Sequence, residues 1–310
     1  MSKTLKILSR PRGNAEEYGR WSVNAYIGCS NNCGYCYLKK GPSGAYLGQD
    51  KPVLKKDVVN EEHAYHLAMA EIIANREEIV KDGGLFMTFT SDPCAEETRI
   101  LFVRIGADSI HKGIPVTLLT KSTNFCRDWI CLVRTPILTR LGRDIESEYY
   151  YEHLRSLAIG YTLTGHDELE PNACTNEQRI KDMSHIKDFK GGENIHLWAS
   201  IEPVIDFSSS LDMIYQALNA GCEHFKIGLL TDRTRVVRKD FQIGEHKFDA
   251  YKVNDLLHFI EDVMRVTDGK ATVYWKQSVR DLLGTDHESV LDAYPHSVGK
   301  DWNIFNQDVR

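Results

Sequence analysis

Short apolar runs alternate with longer helix-like stretches along most of this chain, and that alternation limits what it can fold into. Runs at 22–28, 85–93, 115–122, 159–165, 194–204, 223–230 and 271–277 read as strands, several ending in a polar turn. Between them, 60–84, 95–112, 175–190, 208–220 and 253–267 carry helical periodicity. Asn60 suits a helix cap, and Gly83 and Gly84 suit a stop. Residues 123–157 read as one or two helices with a break near 134–136, while 37–60 and 231–252 read as loop. Strand–helix alternation repeated about six times, with strands that are nearly all apolar, calls for a parallel sheet covered by helices. The expected fold is α/β, a partial (β/α)6-type barrel. Residues 1–21 form a lead-in, 22–230 the barrel, and 231–310 a C-terminal extension packing on it.

Barrels of this kind place reactive groups where strands end and βα loops begin. Just after the first predicted strand stands "GCSNNCGYCY", which sets Cys29, Cys33 and Cys36 within eight positions. Eight cysteines in 310 residues are too few for a disulfide scaffold, and clustered thiols in a reducing compartment point to metal. A closed structural zinc site takes four ligands, and no fourth Cys or His follows until His63. A four-iron, four-sulfur cube takes one thiolate per iron, so three cysteines leave one iron open to another ligand. A zinc site completed by a distant residue is the competing reading. Cys94, Cys126, Cys131, Cys174 and Cys222 are scattered and read by default as small buried apolar groups.

The C-x3-C-x2-C spacing, the aromatic Tyr35 before the last cysteine and the strand ahead of it resemble the radical SAM superfamily. Together with "FTSDP", "LLTKS", "LEPNA" followed by "QRI", and "SIEPVID", they resemble its branch containing spore photoproduct lyase and phage-associated relatives, over roughly residues 22–230. The resemblance implies a radical SAM partial barrel. It also implies a [4Fe–4S] cluster on Cys29, Cys33 and Cys36, and S-adenosylmethionine (SAM) chelated at the open iron. An external electron donor of the flavodoxin or ferredoxin type would reduce the cluster, and hydrogen would be abstracted from a substrate. It places Tyr35, Tyr37, Ser91, Asp92 and Lys121 on SAM-contacting positions, with Thr162 or Thr164 toward the ribose. An aspartate can accept from the methionine ammonium, and a lysine can meet its carboxylate as a point charge. Glu202, ending an otherwise apolar strand, is a further cofactor-side candidate that needs a partner to be buried, and Arg179 is the candidate partner.

One departure stands out. Where spore photoproduct lyase carries a hydrogen-donating cysteine, two residues before the Ser-Asp pair, this chain has Phe89. Cys94, two residues after Asp92, and Tyr37 are the remaining candidates for a catalytic role, with ring stacking the plainer role for the tyrosine. The branch points to a nucleic-acid or nucleobase substrate. Support for phosphate contacts comes from Arg233, Arg235, Arg238 and Lys239 after the sixth strand, and from Lys39, Lys40, Lys51, Lys55 and Lys56 beside the cysteine loop. Tyr274, Trp275 and Lys276 can stack a base or close the barrel bottom. A net charge of −6 excludes a whole-surface field for nucleic acid. Two other readings remain: radical SAM modification of a protein or small metabolite, and a non-catalytic iron–sulfur or zinc sensor. No apolar run is long enough to span a membrane, and the first residues are too polar for a secretory signal. A cytoplasmic protein is expected.

Overall fold

A computed structural model describes residues 6–39, 43–141, 153–230 and 251–306. Ten strands and nine α-helices occur among them: β1 (Leu8–Ser9), β2 (Ser22–Val23), β3 (Tyr26–Ile27), α1 (Gly44–Leu47), β4 (Val53–Leu54), α2 (Glu61–Ala74), α3 (Arg76–Lys81), β5 (Leu85–Met87), α4 (Arg99–Ile110), β6 (Val116–Thr120), α5 (Cys126–Leu141), β7 (Leu157–Thr162), α6 (Asn176–Asp188), β8 (His196–Val204), α7 (Phe207–Asn219), β9 (His224–Leu229), α8 (Val253–Thr267), β10 (Thr272–Trp275) and α9 (Gln277–His287). Eight strands form one sheet in the order β1-β2-β5-β6-β7-β8-β9-β10. Every pairing from β2 onward is parallel, and β1 is antiparallel to β2. This is an α/β sheet of the partial-barrel kind, and its edge strands β1 and β10 do not pair with each other.

Strand alternation sorts the side chains. Leu85 and Met87, Leu197, Ala199 and Ile201, Phe225 and Ile227, and Val273 and Trp275 face the helices and form the large core. The intervening residues face the other way. There Phe86, Ala158 and Trp198 make a smaller apolar cluster with Tyr18, Phe89, Leu119, Trp302, Ile304 and Phe305. Gly160 on β7 lets Trp198 lie flat against the sheet: a Cβ there would come within 2.1 Å of the indole.

Several sequence expectations shift. The single strand at 22–28 is two, β2 and β3, because the chain leaves the sheet at Asn24. That side chain donates to Ser9 and Ser22 and accepts from the Phe89 N–H at 2.8 Å. The lead-in contributes β1, pinned by the Glu71 carboxylate, which accepts the backbone N–H groups of Lys6, Ile7 and Leu8 at 2.7–3.0 Å. The helix at 60–84 starts at the Asn60 cap, whose side chain accepts the His63 N–H, but divides at Asn75 into α2 and α3. α5 runs through 134–136 without the expected break. β10 extends the sheet beside β9. No described helix is long and apolar enough to cross a membrane.

Gly160→Ala should force Trp198 to move and cost about 1–3 kcal/mol, read as a lower urea midpoint with an unchanged slope.

Candidate active site

The loop carrying the three cysteines has little secondary structure beyond a short 3-10 turn at Tyr37–Lys39, so its shape comes from tethers. Gly28, at φ +86°, lies where a Cβ would meet the Lys51 carbonyl at 2.5 Å, and the Cys29 N–H donates to Gln49 O at 3.0 Å. Asn31 donates to Asp92 at 2.7 Å, and Asn172 donates to Ser30 O at 3.1 Å. The Gly34 N–H donates to Leu169 O at 2.8 Å. The Tyr35 hydroxyl donates to Glu170. Three separate segments, one ahead of β4, one after β5 and one after β7, therefore hold one loop.

Glu170 is the anchor. Its side chain and that of Arg179 are both fully buried and paired. Arg179 also donates to Thr162 O at 2.7 Å and Cys174 O at 2.8 Å. The arginine placed by sequence beside Glu202 is thus committed to Glu170 instead. Lys121, at the end of β6, lies 3.8 Å from Glu170 and over the Tyr35 ring at 5.5 Å. Burial works against its ammonium, but Cys33 and Glu170 outweigh it and raise its pKa.

Cys29, Cys33 and Cys36 are free thiols. Burial pushes the Cys33 thiol up to about 11, with Lys121 opposing. Burial and then Asp92 push Cys29 up further. Among the described residues no three His, Cys, Asp or Glu side chains are grouped to hold a single metal ion. A four-iron cube instead takes its thiolates at separate irons. The donor chemistry, three soft sulfur ligands without a fourth in the loop, suits such a cube. A second observation suits a missing ligand: the Ser91 hydroxyl is buried without a hydrogen-bond partner, an uncommon state for a buried polar atom.

Asp92 does not have the freedom expected of it. One oxygen accepts Thr120 Oγ1 at 2.6 Å and the Cys94 N–H at 2.9 Å. The other accepts Asn31 at 2.7 Å and the Lys121 N–H at 2.9 Å. All four carboxylate lone-pair sites are used, so Asp92 ties the cysteine loop to β5 and β6 rather than presenting an oxygen to a ligand. Cys94 packs in the large core beneath it, 2% exposed, and is not brought to the cysteine loop. Thr162 and Thr164 are buried, and the Thr164 hydroxyl accepts the His166 N–H at 3.2 Å. The Tyr37 hydroxyl donates to Phe89 O while most of the residue is exposed.

Glu202 lies elsewhere, on the sheet face turned away from the helices. Its Oε2 accepts from the Tyr18 hydroxyl and from Lys276 Nζ at 2.5 Å. Around it stand Ser200, Glu17 and Lys226, whose ammonium donates to Glu17 O at 2.6 Å. Lys276 is 2% exposed, and Tyr274 donates to Glu17 at 3.0 Å. Neither side chain stacks or closes as a surface group; Trp275 sits in the large core. Sequence reasoning missed Glu17, Tyr18 and Lys226. Lys226 carried a readable signal, a cation at the alternate position of an otherwise apolar strand. At the N-terminal ends of the strands a cavity of about 280 Å³ is lined by Tyr18, Trp198, His224, Lys226 and Trp302 among others.

The lysines beside the loop are less free than expected. Lys39 is bound to Asn32 and to Asp50, the latter at 2.7 Å, and Lys55 donates to Lys6 O at 3.1 Å. Lys40, Arg233, Arg235, Arg238 and Lys239 lie outside the described residues.

The fold has a counterpart among solved structures. A spore photoproduct lyase variant, solved with bound AdoMet and a dinucleoside spore photoproduct, matches 88% of this chain and 79% of its own at 13% identity and a TM-score of 0.57. The chain shares that enzyme's fold. Streptococcus suis SuiB bound to S-adenosylmethionine overlaps 82% of this chain and 49% of its own at 12% identity, with a TM-score of 0.47. No family model matches the sequence, and no curated protein does.

Glu170→Gln should cost about 3–5 kcal/mol by leaving Arg179 buried and unpaired, measured by denaturant unfolding. Lys226 gives a pH test. Burial, with Lys276 beside it, holds its pKa down to about 7. Between about pH 7 and the ordinary lysine value of roughly 10.4 the unfolded chain binds the extra proton. This group therefore makes stability rise with pH across that window, and Lys226→Met should remove that part of the slope of melting temperature against pH.

Proposed function

We propose that this protein is a radical SAM enzyme that abstracts hydrogen from a nucleobase-containing or nucleic-acid substrate. The observation that carries the reading is the loop of three free thiols at the C-terminal end of the first parallel strand of a partial barrel, with Lys121 beside Cys33. Cys29, Cys33 and Cys36 would hold a [4Fe–4S] cluster. When bound, the cluster and SAM supply reductive cleavage of the sulfonium and a carbon radical able to take a hydrogen atom. An electron donor of the flavodoxin or ferredoxin type is implied.

The chain's own groups divide the remaining work. Lys121, kept protonated by Cys33 and Glu170, would meet the methionine carboxylate. Ser91 supplies the hydroxyl without a partner. Asp92 positions both Lys121 and Asn31. Tyr35 is engaged by Glu170 and braces the loop, whereas the Tyr37 ring is exposed enough to stack against a ligand. Support for the substrate class comes from the sequence motifs and from the dinucleoside bound to the lyase of the same fold. Phe89 stacks on Phe86 with centroids 4.4 Å apart. It cannot return a hydrogen atom as a thiol does, so the reaction should differ from the lyase's.

The test is anaerobic. After reconstitution with iron and sulfide and reduction with dithionite, the wild type should release 5′-deoxyadenosine, detected by mass spectrometry, and Cys33→Ala should release none. Lys121→Ala should retain iron but bind SAM at least about tenfold more weakly, the worth of one charge-assisted contact. Equal loss of iron in that variant would make the lysine structural.

A further inference from the structure

We propose that Glu202 anchors the substrate at the barrel mouth, its free carboxylate oxygen accepting from the N–H edge of a nucleobase. This rests on the radical SAM reading above and assigns Glu202 to the substrate rather than to the cofactor.

The two oxygens of Glu202 differ. Oε2 is held by Tyr18 and Lys276. Oε1 has no hydrogen-bond partner among the described residues. The neighbouring strand leaves that oxygen clear, because position 228 is glycine: a Cβ there would stand 2.8 Å from Oε1 and 3.0 Å from Lys276 Cδ. The side chain is 23% exposed. Glu202 is not among the residues lining the cavity at the strand N-termini, although its neighbours Tyr18 and Lys226 are. Glu202 lies near the C-terminal end of β8, the end at which the parallel strands β5 and β6 lead to Ser91 and Lys121.

Position argues for a substrate. Ser91 and Lys121 follow β5 and β6, and the thiols follow β3, just past β2, whereas Glu202 stands on β8, with β7 between it and β6. Stability does not explain the arrangement, since desolvating a lysine and a carboxylate cancels most of their attraction. What it does provide is a fixed acceptor. With one oxygen locked by a tyrosine and a buried ammonium, the other has a defined direction. Lys276 balances the charge, so a neutral donor suits the site without a cation. A phosphate does not. A nucleobase offers ring and exocyclic N–H groups at one edge and a flat face for the exposed Tyr37 ring. Tyr18 and Lys276 are positioning residues acting through Glu202.

The test uses the full, cluster-loaded chain and two fluorescent single strands of equal length, one of mixed sequence and one abasic, which share phosphates but not bases. The readout is the ratio of their affinities by anisotropy. The wild type should favour the base-containing strand at least tenfold. Glu202→Met combined with Lys276→Met removes both charges of the pair together and should bring the ratio close to one; Glu17, 3.4 Å from Lys276, keeps its contacts to Tyr274 and the Gln277 N–H, and an unchanged SAM affinity shows that the variant is folded. Tyr18→Phe, which preserves the ring but removes the hydroxyl bonded to Glu202 and Ser200, should lower the ratio several-fold with SAM affinity unchanged, a result that a packing role would not produce. An undiminished ratio in the double variant overturns the anchor and leaves the substrate class standing. A matching loss of SAM affinity in that variant overturns it by placing Glu202 in the cofactor's grip. A wild-type ratio near one overturns the nucleobase substrate and the anchor together, and is recognised without any variant. A cationic peptide bound in the same Glu202-dependent way, with no base preference, also overturns it.

Discussion

A buried carboxylate governs the shape of the cysteine loop. Glu170 sits with Arg179 in full burial, and an ion pair removed from water holds only when its remaining hydrogen-bonding capacity is used. Here it is used: Arg179 takes two backbone carbonyls, and Glu170 takes the Tyr35 hydroxyl with Lys121 nearby. The residue before it, Leu169, fixes Gly34. A loop with almost no secondary structure is thereby set by the segment between β7 and α6, and Asp92 performs the same service from the end of β5.

The sequence disclosed the architecture because alternation is a local property. Strand positions followed from apolar runs, and the cysteine loop from its spacing and its place after a strand. What it withheld depends on contacts between distant residues. Asp92 looked available for a ligand because its four donors come from residues 31, 94, 120 and 121, and only Cys94 is a near neighbour. Arg179 looked like a partner for Glu202, but α6 turns it toward Glu170 nine residues back. Cys94 looked poised beside the Ser-Asp turn. The turn instead sends it into the large core, as the default for a lone cysteine has it.

Reading strands β8 to β10 as nearly all apolar also hid how much of the second face of the sheet is polar. Ser200 and Glu202, His224 and Lys226, and Tyr274 and Lys276 occupy alternate positions and meet inside the barrel, where Tyr18 and Glu17 join them from the N-terminal segment. The interior thus has an aromatic floor, with Trp198 and Trp302, and a charged layer above it. Parallel register sets Ser200, Lys226 and Tyr274 side by side on one rung although they lie far apart in the chain.

That layer is stitched between the two ends of the polypeptide. Glu17 accepts the Gln277 N–H at 2.7 Å, across 260 positions, and Arg20 binds Asp301 at 2.6 Å, across 281. Loop-closure entropy opposes such long-range contacts until the intervening elements are in place. A nascent chain that has emerged only as far as β9 can pair six parallel strands, yet Glu17 then lacks Tyr274, Lys276 and Gln277. The interior can be completed only after β10 has left the ribosome. Folding of this protein should therefore close with the filling of the barrel interior, once β10 is available.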